Sequence, residues 1–304
     1  MTTFDGLVTQ CQQALQGYGL SQPRAAFIST VGGITAADLS FTVDDATDLS
    51  QGAAEIEDEI VFIQSVDTAT NTVTVAPDGR GWYGTTAATH AANTRLTFEP
   101  VWFRQRIKTA INDTIIGTWP MLFGVGTTSF TYNTAVNTYE LPTDAERVLK
   151  ISATTFGPTR EQQQVKRYRQ ALDAPTAEFT SGKTVTIEEP CYPGATVTVT
   201  YMKAPAALVN GSDDLTSSGL RETAKQAVLY GACAELVSFM DPDRLAVDSA
   251  TAQMAQYSYR STGNQVGAAA QIASQLTARY QFEVQREQRR LREVTPVPVN
   301  VRVR

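Results

Sequence analysis

The stretch EIVFIQSVDTATNTVTV, residues 59–75, decides how the first third of the chain is read. EIVFI at 59–63 and TVTV at 72–75 are short, β-branched apolar runs set between turn residues, the pattern of strands and not of an amphipathic helix. Upstream, Leu39, Phe41 and Val43 alternate, and downstream RLTF follows at 95–98. Short strands separated by Asn, Asp, Gly and Pro predict a small all-β unit over about 25–99.

Helical spacing flanks this unit. Phe4, Leu7, Val8, Cys11, Leu15 and Tyr18 follow the i, i+3, i+4, i+7 rule and predict a helix over 3–18, closed by Gly17, Gly19 and Pro23. WFRQRIKTAINDTIIGTW, from 102, places Phe103, Ile107, Ala110, Ile111 and Ile115 on one side. A second β-rich stretch runs over about 128–203, within which EQQQVKRYRQAL at 161–172 fits either element type. A helix over about 219–240 shows a small-residue face of Ala224, Ala227, Gly231 and Ala234, and a further helical stretch is expected after Asp241 and Pro242. A final helix carries Ile272, Leu276, Tyr280, Val284 and Leu291. The predicted class is α+β: a helical-bundle body, an inserted small all-β domain, a second β-rich stretch and an extended C-terminal arm.

With 304 residues, 42% of them hydrophobic, the chain can bury one large core or two modest ones. No run approaches the roughly 20 apolar residues of a membrane span, and no leader pattern opens the chain, so a soluble, unprocessed protein with no membrane partner is expected. Cys11, Cys191 and Cys233 form no CxxC pair, which favours reduced structural cysteines over a zinc site or a disulfide framework. The net charge of −6 is unevenly spread. Between Arg24 and Arg80 there is no Lys or Arg, but there are Asp38, Asp44, Asp45, Asp48, Glu55, Glu57, Asp58, Glu59, Asp67 and Asp78. From Arg286 onward the sign reverses. The acidic segment repels nucleic acid.

The residue types that carry chemistry are sparse. His90 is the single histidine, in a small-residue loop, and its expected role is capping or hydrogen bonding. No phosphate-binding glycine motif is present. EIEDE at 55–59 lacks the glycine and spacing of a calcium loop and reads as a solvated strand face. Nothing singles out a glycosidase-type carboxylate pair. The expectation is therefore no enzyme, no cofactor and no metal.

The chain ends in TPVPVNVRVR, 295–304. Val297, Val299, Val301 and Val303 recur every second residue, so an extended backbone puts them on one face. Such a segment is suited to adding as a strand to a partner's sheet edge. Arg302 and Arg304 add positive charge to this partner-binding set.

GRGWYGTTAATHAANT, residues 79–94, resembles an R-G-aromatic-x-G-T-x-A-x-x-H-x-x-x-[ST] pattern of structural proteins of tailed bacteriophages, with Arg80, Gly81, Tyr83 or Trp82 as the aromatic, Gly84, Thr85, Ala87, His90 and Thr94 in the matching positions. The helix from 101, the YELP stretch at 139–142 leading into RVLKIS, and ETAKQAVLYGACAELVSF at 222–239 resemble the head-to-tail adaptor (connector or neck) proteins of double-stranded DNA phages. The resemblance implies an adaptor body at 1–24 and 100–293, an inserted β-domain at 25–99 and an arm at 294–304. It implies a virion structural protein of the neck, assembled in the host cytoplasm as a homo-oligomeric ring, commonly of twelve subunits. That ring would join the portal to the tail or further neck proteins and surround the DNA channel, with DNA passing nearby without specific binding. Asp44, Asp45, Asp48, Glu55, Glu57 and Glu59 would form a channel or surface acidic patch, and the arm would dock on the portal. The alternatives are a tail-completion or terminator component, and a host-surface (glycan) binding module carried by the β-domain.

Overall fold

Strand alternation builds two large core clusters among the described residues. The computed structural model describes residues 2–16, 24–28, 33–154, 162–238 and 268–294. The chain divides into two compact units. One comprises Asp5–Ile111 and Gly231–Ser274, the other Met1–Phe4, Asn112–Tyr230 and Gln275–Arg304.

In the first unit, β1 (Arg24–Phe27), β2 (Ser40–Thr42), β3 (Gly52–Ile56), β4 (Glu59–Asp67), β5 (Thr72–Val75) and β6 (Arg95–Phe98) form one sheet in the order β1-β6-β3-β4-β5-β2. Every pairing is antiparallel. The two end strands meet again: Ile28, just past β1, bridges Val43, just past β2, and the Asp44 N–H donates to the Phe27 carbonyl at 2.9 Å. The sheet therefore curls until its edges touch, which removes the exposed ladder that an open sheet presents at that seam. A register irregularity between Ile63 and Ser65 in the longest strand, β4, adds local twist to the curl. Inside lie Ile28, Phe41, Ile56, Val61, Ile63, Val73, Leu96 and Phe98. Helix α1 (Phe4–Gln16) buries Leu7, Val8, Cys11 and Leu15, and α2 (Arg104–Gly117) buries Ile107, Ala110, Ile111 and Ile115.

In the second unit, β7 (Gly124–Thr131), β9 (Arg147–Thr154), β10 (Gln162–Val165) and β13 (Thr196–Lys203) make a four-stranded sheet in the order β10-β9-β13-β7. A three-stranded sheet has the order β11-β12-β8, from β8 (Thr138–Glu140), β11 (Tyr168–Ala171) and β12 (Thr184–Ile187). The two sheets share a core: Val185 and Ile187 of β12 pack with Val148, Ile151, Ala153, Val197, Val199 and Tyr201. Thr200 pairs with Lys150 but Tyr201 with Val148, so Leu149 is an extra residue. The bulge turns Leu149 off that core face. It packs instead with Phe123, Met202 and Leu291, the last lying near the end of α4 (Ala268–Val294). Helix α3 (Lys225–Ser238), whose residues from Gly231 onward belong to the first unit, follows a 3-10 turn at Glu222–Ala224.

The expectation of a helical-bundle body is corrected by this arrangement. The described residues hold thirteen strands in three sheets and four α-helices. The 128–203 stretch is not an accessory to helices: its strands carry a core of their own. The 161–172 segment is strand twice over, β10 pairing with β9 and β11 with β12. The helical stretch expected after Asp241, and the C-terminal arm, lie outside the described residues.

Leu291 is the point where α4 grips the sheet. Leu291→Ala should cost about 2–4 kcal/mol, as other buried Leu→Ala changes do. Urea unfolding read by far-ultraviolet circular dichroism measures this, with the exposed Phe282→Ala on the same helix, 63% exposed, staying near wild type.

Candidate functional site

The β3–β4 hairpin turns at Glu57 and Asp58, with Glu57 in the left-handed region at φ 53°. The turn leaves Glu55 and Glu59, one on each strand, buried at 5% and 1% exposure. A buried carboxylate survives only if paired and hydrogen-bonded, and Glu59 meets that demand with groups from the 79–94 segment. Arg80 grips it through two donors, Nε to Oε1 at 2.6 Å and a terminal nitrogen to Oε2 at 2.9 Å. The backbone N–H groups of Gly81 and Ala88 donate to the two oxygens at 3.0 and 2.9 Å, and His90 Nε2 lies 2.8 Å from Oε2. His90 Nδ1 in turn lies 2.8 Å from the exposed Glu57. Arg80 spends its remaining donors on the carbonyls of Thr35, Asp38 and Ala88. The matched motif residues are thus a clamp: Arg80 and His90 hold a carboxylate from another part of the chain. Gly81 stands at φ 64°, and a Cβ there would sit 2.8 Å from the Thr85 carbonyl oxygen, so the turn that aims its N–H at Glu59 requires glycine.

Glu55 has a different environment. It accepts the backbone N–H of Arg104, at the start of α2, where the helix dipole favours negative charge. Below it, Asp58 pairs with Lys108 at 2.7 Å and Arg104 at 3.3 Å, and both cations also reach Asp5 of α1. Asp5, Glu55, Asp58 and Arg104, with Trp102 and His90, line a hollow of about 1340 Å³. Burial pushes the Glu55 carboxyl up to about 7, against the pull of the Arg104 N–H and its charge. Glu59 goes the other way: burial opposes ionisation, but Arg80, His90 and the two backbone donors outweigh it and hold the carboxyl down to about 2. Burial likewise opposes protonation of His90, and its bonds to Glu59 and Glu57 overcome that and raise its pKa. Two carboxylates, one at each ring nitrogen, favour the protonated, cationic form of this imidazole. Among the described residues no group of three or more His, Cys, Asp or Glu could hold a metal ion.

The six acidic residues singled out in the sequence fall into two groups. Asp44, Asp45 and Asp48 are exposed on the loop after β2. There Asp44 accepts the Phe27 and Asp45 N–H groups and Asp45 accepts that of Thr47. Glu55, Glu57 and Glu59 belong to the β3–β4 hairpin, where Glu57 alone of the three is exposed. Val297, Val299, Val301, Arg302, Val303 and Arg304 lie outside the described residues. The role missed in the sequence is that of Arg80 and His90 as partners of Glu59; their presence in one motif, facing an acid-rich hairpin, was the available signal.

Arg80→Ala should cost about 3–5 kcal/mol, because it strands a buried carboxylate. Arg80→Lys should recover less than half of that, since an ammonium lacks the planar fork. His90→Ala should cost about 1–3 kcal/mol, the range for losing one charged hydrogen-bond partner. Thermal unfolding of the three variants tests the order. The same groups set a pH profile. The Glu59 contribution is complete above the ordinary glutamate range and is lost as pH falls toward about 2. The His90 contribution is complete below the ordinary histidine range and is lost as pH rises through its raised pKa. Glu55 works against folding as pH rises from the glutamate range to about 7, a cost of roughly 3 kcal/mol at the plateau. Stability should therefore peak at mildly acidic pH and fall through neutrality, and Glu55→Gln should flatten that neutral limb in melting curves taken from pH 4 to 9.

No curated protein matches the chain. Residues 85–286 match the family described as SU10 adaptor protein. That stretch begins in the Arg80–His90 clamp segment, takes in β6, α2 and all of β7–β13 and α3, and ends within α4. Two-thirds of the chain is covered, so this protein belongs to the SU10 adaptor protein family and is a structural adaptor of a bacteriophage.

Proposed function

We propose that this adaptor works as a homo-oligomeric ring, of twelve subunits as in the proteins it resembles, that joins the portal to the tail around the DNA channel. The ring sits in the virion neck, assembled in the host cytoplasm, and contacts tail or further neck proteins on its other side. The arm at 294–304 docks on the portal by adding as a strand to a sheet edge. Val297, Val299, Val301 and Val303 set its face and register, and Arg302 and Arg304 meet acidic groups. Residues 25–99 act as an insertion on the adaptor framework, and most of them precede the matched stretch.

The observation that carries this reading is the family match together with the anchoring of α4 close to the arm. Leu291 is held in a cluster with Phe123, Leu149 and Met202, three residues before Val294, the last described residue of the chain. The arm therefore starts from an anchored helix, which limits the entropy lost when it pairs with a partner. Repetition around a ring multiplies weak contacts. The exposed Asp44, Asp45, Asp48 and Glu57 oppose phosphate, which suits a surface past which DNA must slide without sticking.

Deletion of 295–304 leaves Phe123, Leu149, Met202 and Leu291 in place, so the truncated protein should keep the wild-type melting temperature. It should lose capture by purified portal in a sedimentation assay and leave tailless heads when it replaces the full chain during infection. Full portal capture by the folded truncation would remove the arm from this scheme, and capture of tail components alone would point to a tail-completion role.

A further inference from the structure

Cys11 of α1 and Cys233 of α3 face each other with their Sγ atoms 3.3 Å apart, although 222 residues separate them in sequence. Both belong to the same compact unit. Both are free thiols and both are buried, at 0% and 2% exposure. The third cysteine, Cys191, lies in the other unit and hydrogen-bonds the Glu189 carbonyl at 3.7 Å. Two thiols at this separation need to close by a little over 1 Å to reach the bond length of about 2.05 Å. Rotation about the Cα–Cβ bonds of the two cysteines is the movement that brings such a pair together.

We propose that Cys11 and Cys233 are a built-in cross-linking site, closed to a disulfide by a small peroxide once the protein leaves a reducing compartment. The chemistry balances without a metal or a second protein. The Cys233 thiolate attacks one oxygen of hydrogen peroxide, the O–O bond breaks and hydroxide leaves, giving a sulfenic acid. The Cys11 sulfur then attacks the Cys233 sulfur and the S–O bond breaks. Water departs with the Cys11 proton, and two thiols have been oxidised by one peroxide reduced to two waters. Either sulfur can donate to the other; with the Cys11 thiol as donor the bond stabilises the Cys233 thiolate against the effect of burial, which makes Cys233 the starting nucleophile. The same bond to Cys233, reinforced by burial, raises the pKa of Cys11 and keeps it protonated as the resolving thiol. Burial restricts the oxidant to a molecule near the size of water, so bulky disulfides react slowly.

The bond would join α1 to α3 and close a loop containing all three sheets of the described residues. Long loops lose the most unfolded-state freedom on cross-linking. In a particle assembled under reducing conditions and released into an oxidising medium, the staple would form after folding and assembly are complete.

The test uses the full-length protein treated with hydrogen peroxide under native conditions, then alkylated and mapped by mass spectrometry without reduction. The expected result is loss of two hydrogens from the intact mass, a single linked peptide pair containing Cys11 and Cys233, and unchanged alkylation of Cys191 after denaturation. Melting temperature should rise by several degrees and return on reduction. Cys191→Ser should behave as wild type, whereas Cys233→Ala should show neither the link nor the thermal shift. The wild-type map alone decides the matter if Cys233→Ala does not fold. Sulfinic acid at either residue with no link, a link to Cys191, or intermolecular links in place of the internal one would overturn the proposal. None of these outcomes depends on whether a ring forms or a portal is bound.

Discussion

The ionised carboxylate of Glu59, buried on the β3–β4 hairpin, constrains the rest of its unit. Removing such a group from water costs several kcal/mol that only charge and directed hydrogen bonds can return. Five donors converge on it, from Arg80, Gly81, Ala88 and His90, and all of them come from the connection between β5 and β6. That connection, residues 76–94, has only a short 3-10 turn of its own. Connections of this length without regular structure are uncommon in compact domains. Here the loop is held by what it does for Glu59. The same segment also bridges Ile34 to His90 and, through Arg80, ties down the carbonyls of Thr35 and Asp38. One carboxylate thereby sets the course of the chain leading into β2.

Glu55 and Glu59 show how far environment separates two identical side chains on one hairpin. Glu59 is met by a guanidinium and an imidazolium and stays ionised. Glu55 is met chiefly by one backbone N–H of α2, and burial wins. The cations that could have neutralised Glu55 are engaged beside it: Arg104 and Lys108 bind Asp5 and Asp58. Those pairs are about half exposed on the acidic side and each contributes little alone. As a four-member cluster they fix α1 and α2 against the hairpin, and fix the start of α2 where Glu55 must meet it.

Local element type was legible wherever side-chain spacing alone determines it. Leu7, Val8, Cys11 and Leu15 announce α1 by their periodicity, and EIVFI, TVTV and RLTF announce β4, β5 and β6. What spacing does not show is which elements bury each other. The runs at 147–154 and 196–203 read as strands, yet their importance comes from pairing with one another across more than forty residues and from facing Val185 and Ile187. A body made of sheets was therefore read as a body made of helices. EIEDE misled for a related reason. Alternation with acids signals a solvated face only when the acids have no distant partners, and Arg80 and His90 lie more than twenty residues away. The Leu149 bulge is likewise invisible locally, because nothing in RVLKIS marks the residue that leaves the register.

The two units differ in the backbone hydrogen-bonding capacity they leave open. The six-stranded sheet brings its end strands together at Ile28 and Val43, so an approaching strand finds no free ladder at that seam. The four-stranded sheet does not close. Its end strand β7 runs eight residues, Gly124–Thr131, pairs in unbroken register with β13, and has no other strand partner among the described residues. The sequence GVGTTSFT contains no charge and no proline, the devices by which edge strands are usually protected from pairing. Glycine at 124 and 126 lets Lys203 and Tyr201 of β13 lie close over its backbone, leaving the outer side of the ladder unobstructed by these residues. Strand addition between chains requires an open edge on one molecule and an extended segment on another. The curled sheet has spent its end strands on each other, and among the described residues the four-stranded sheet has kept the β7 edge unpaired.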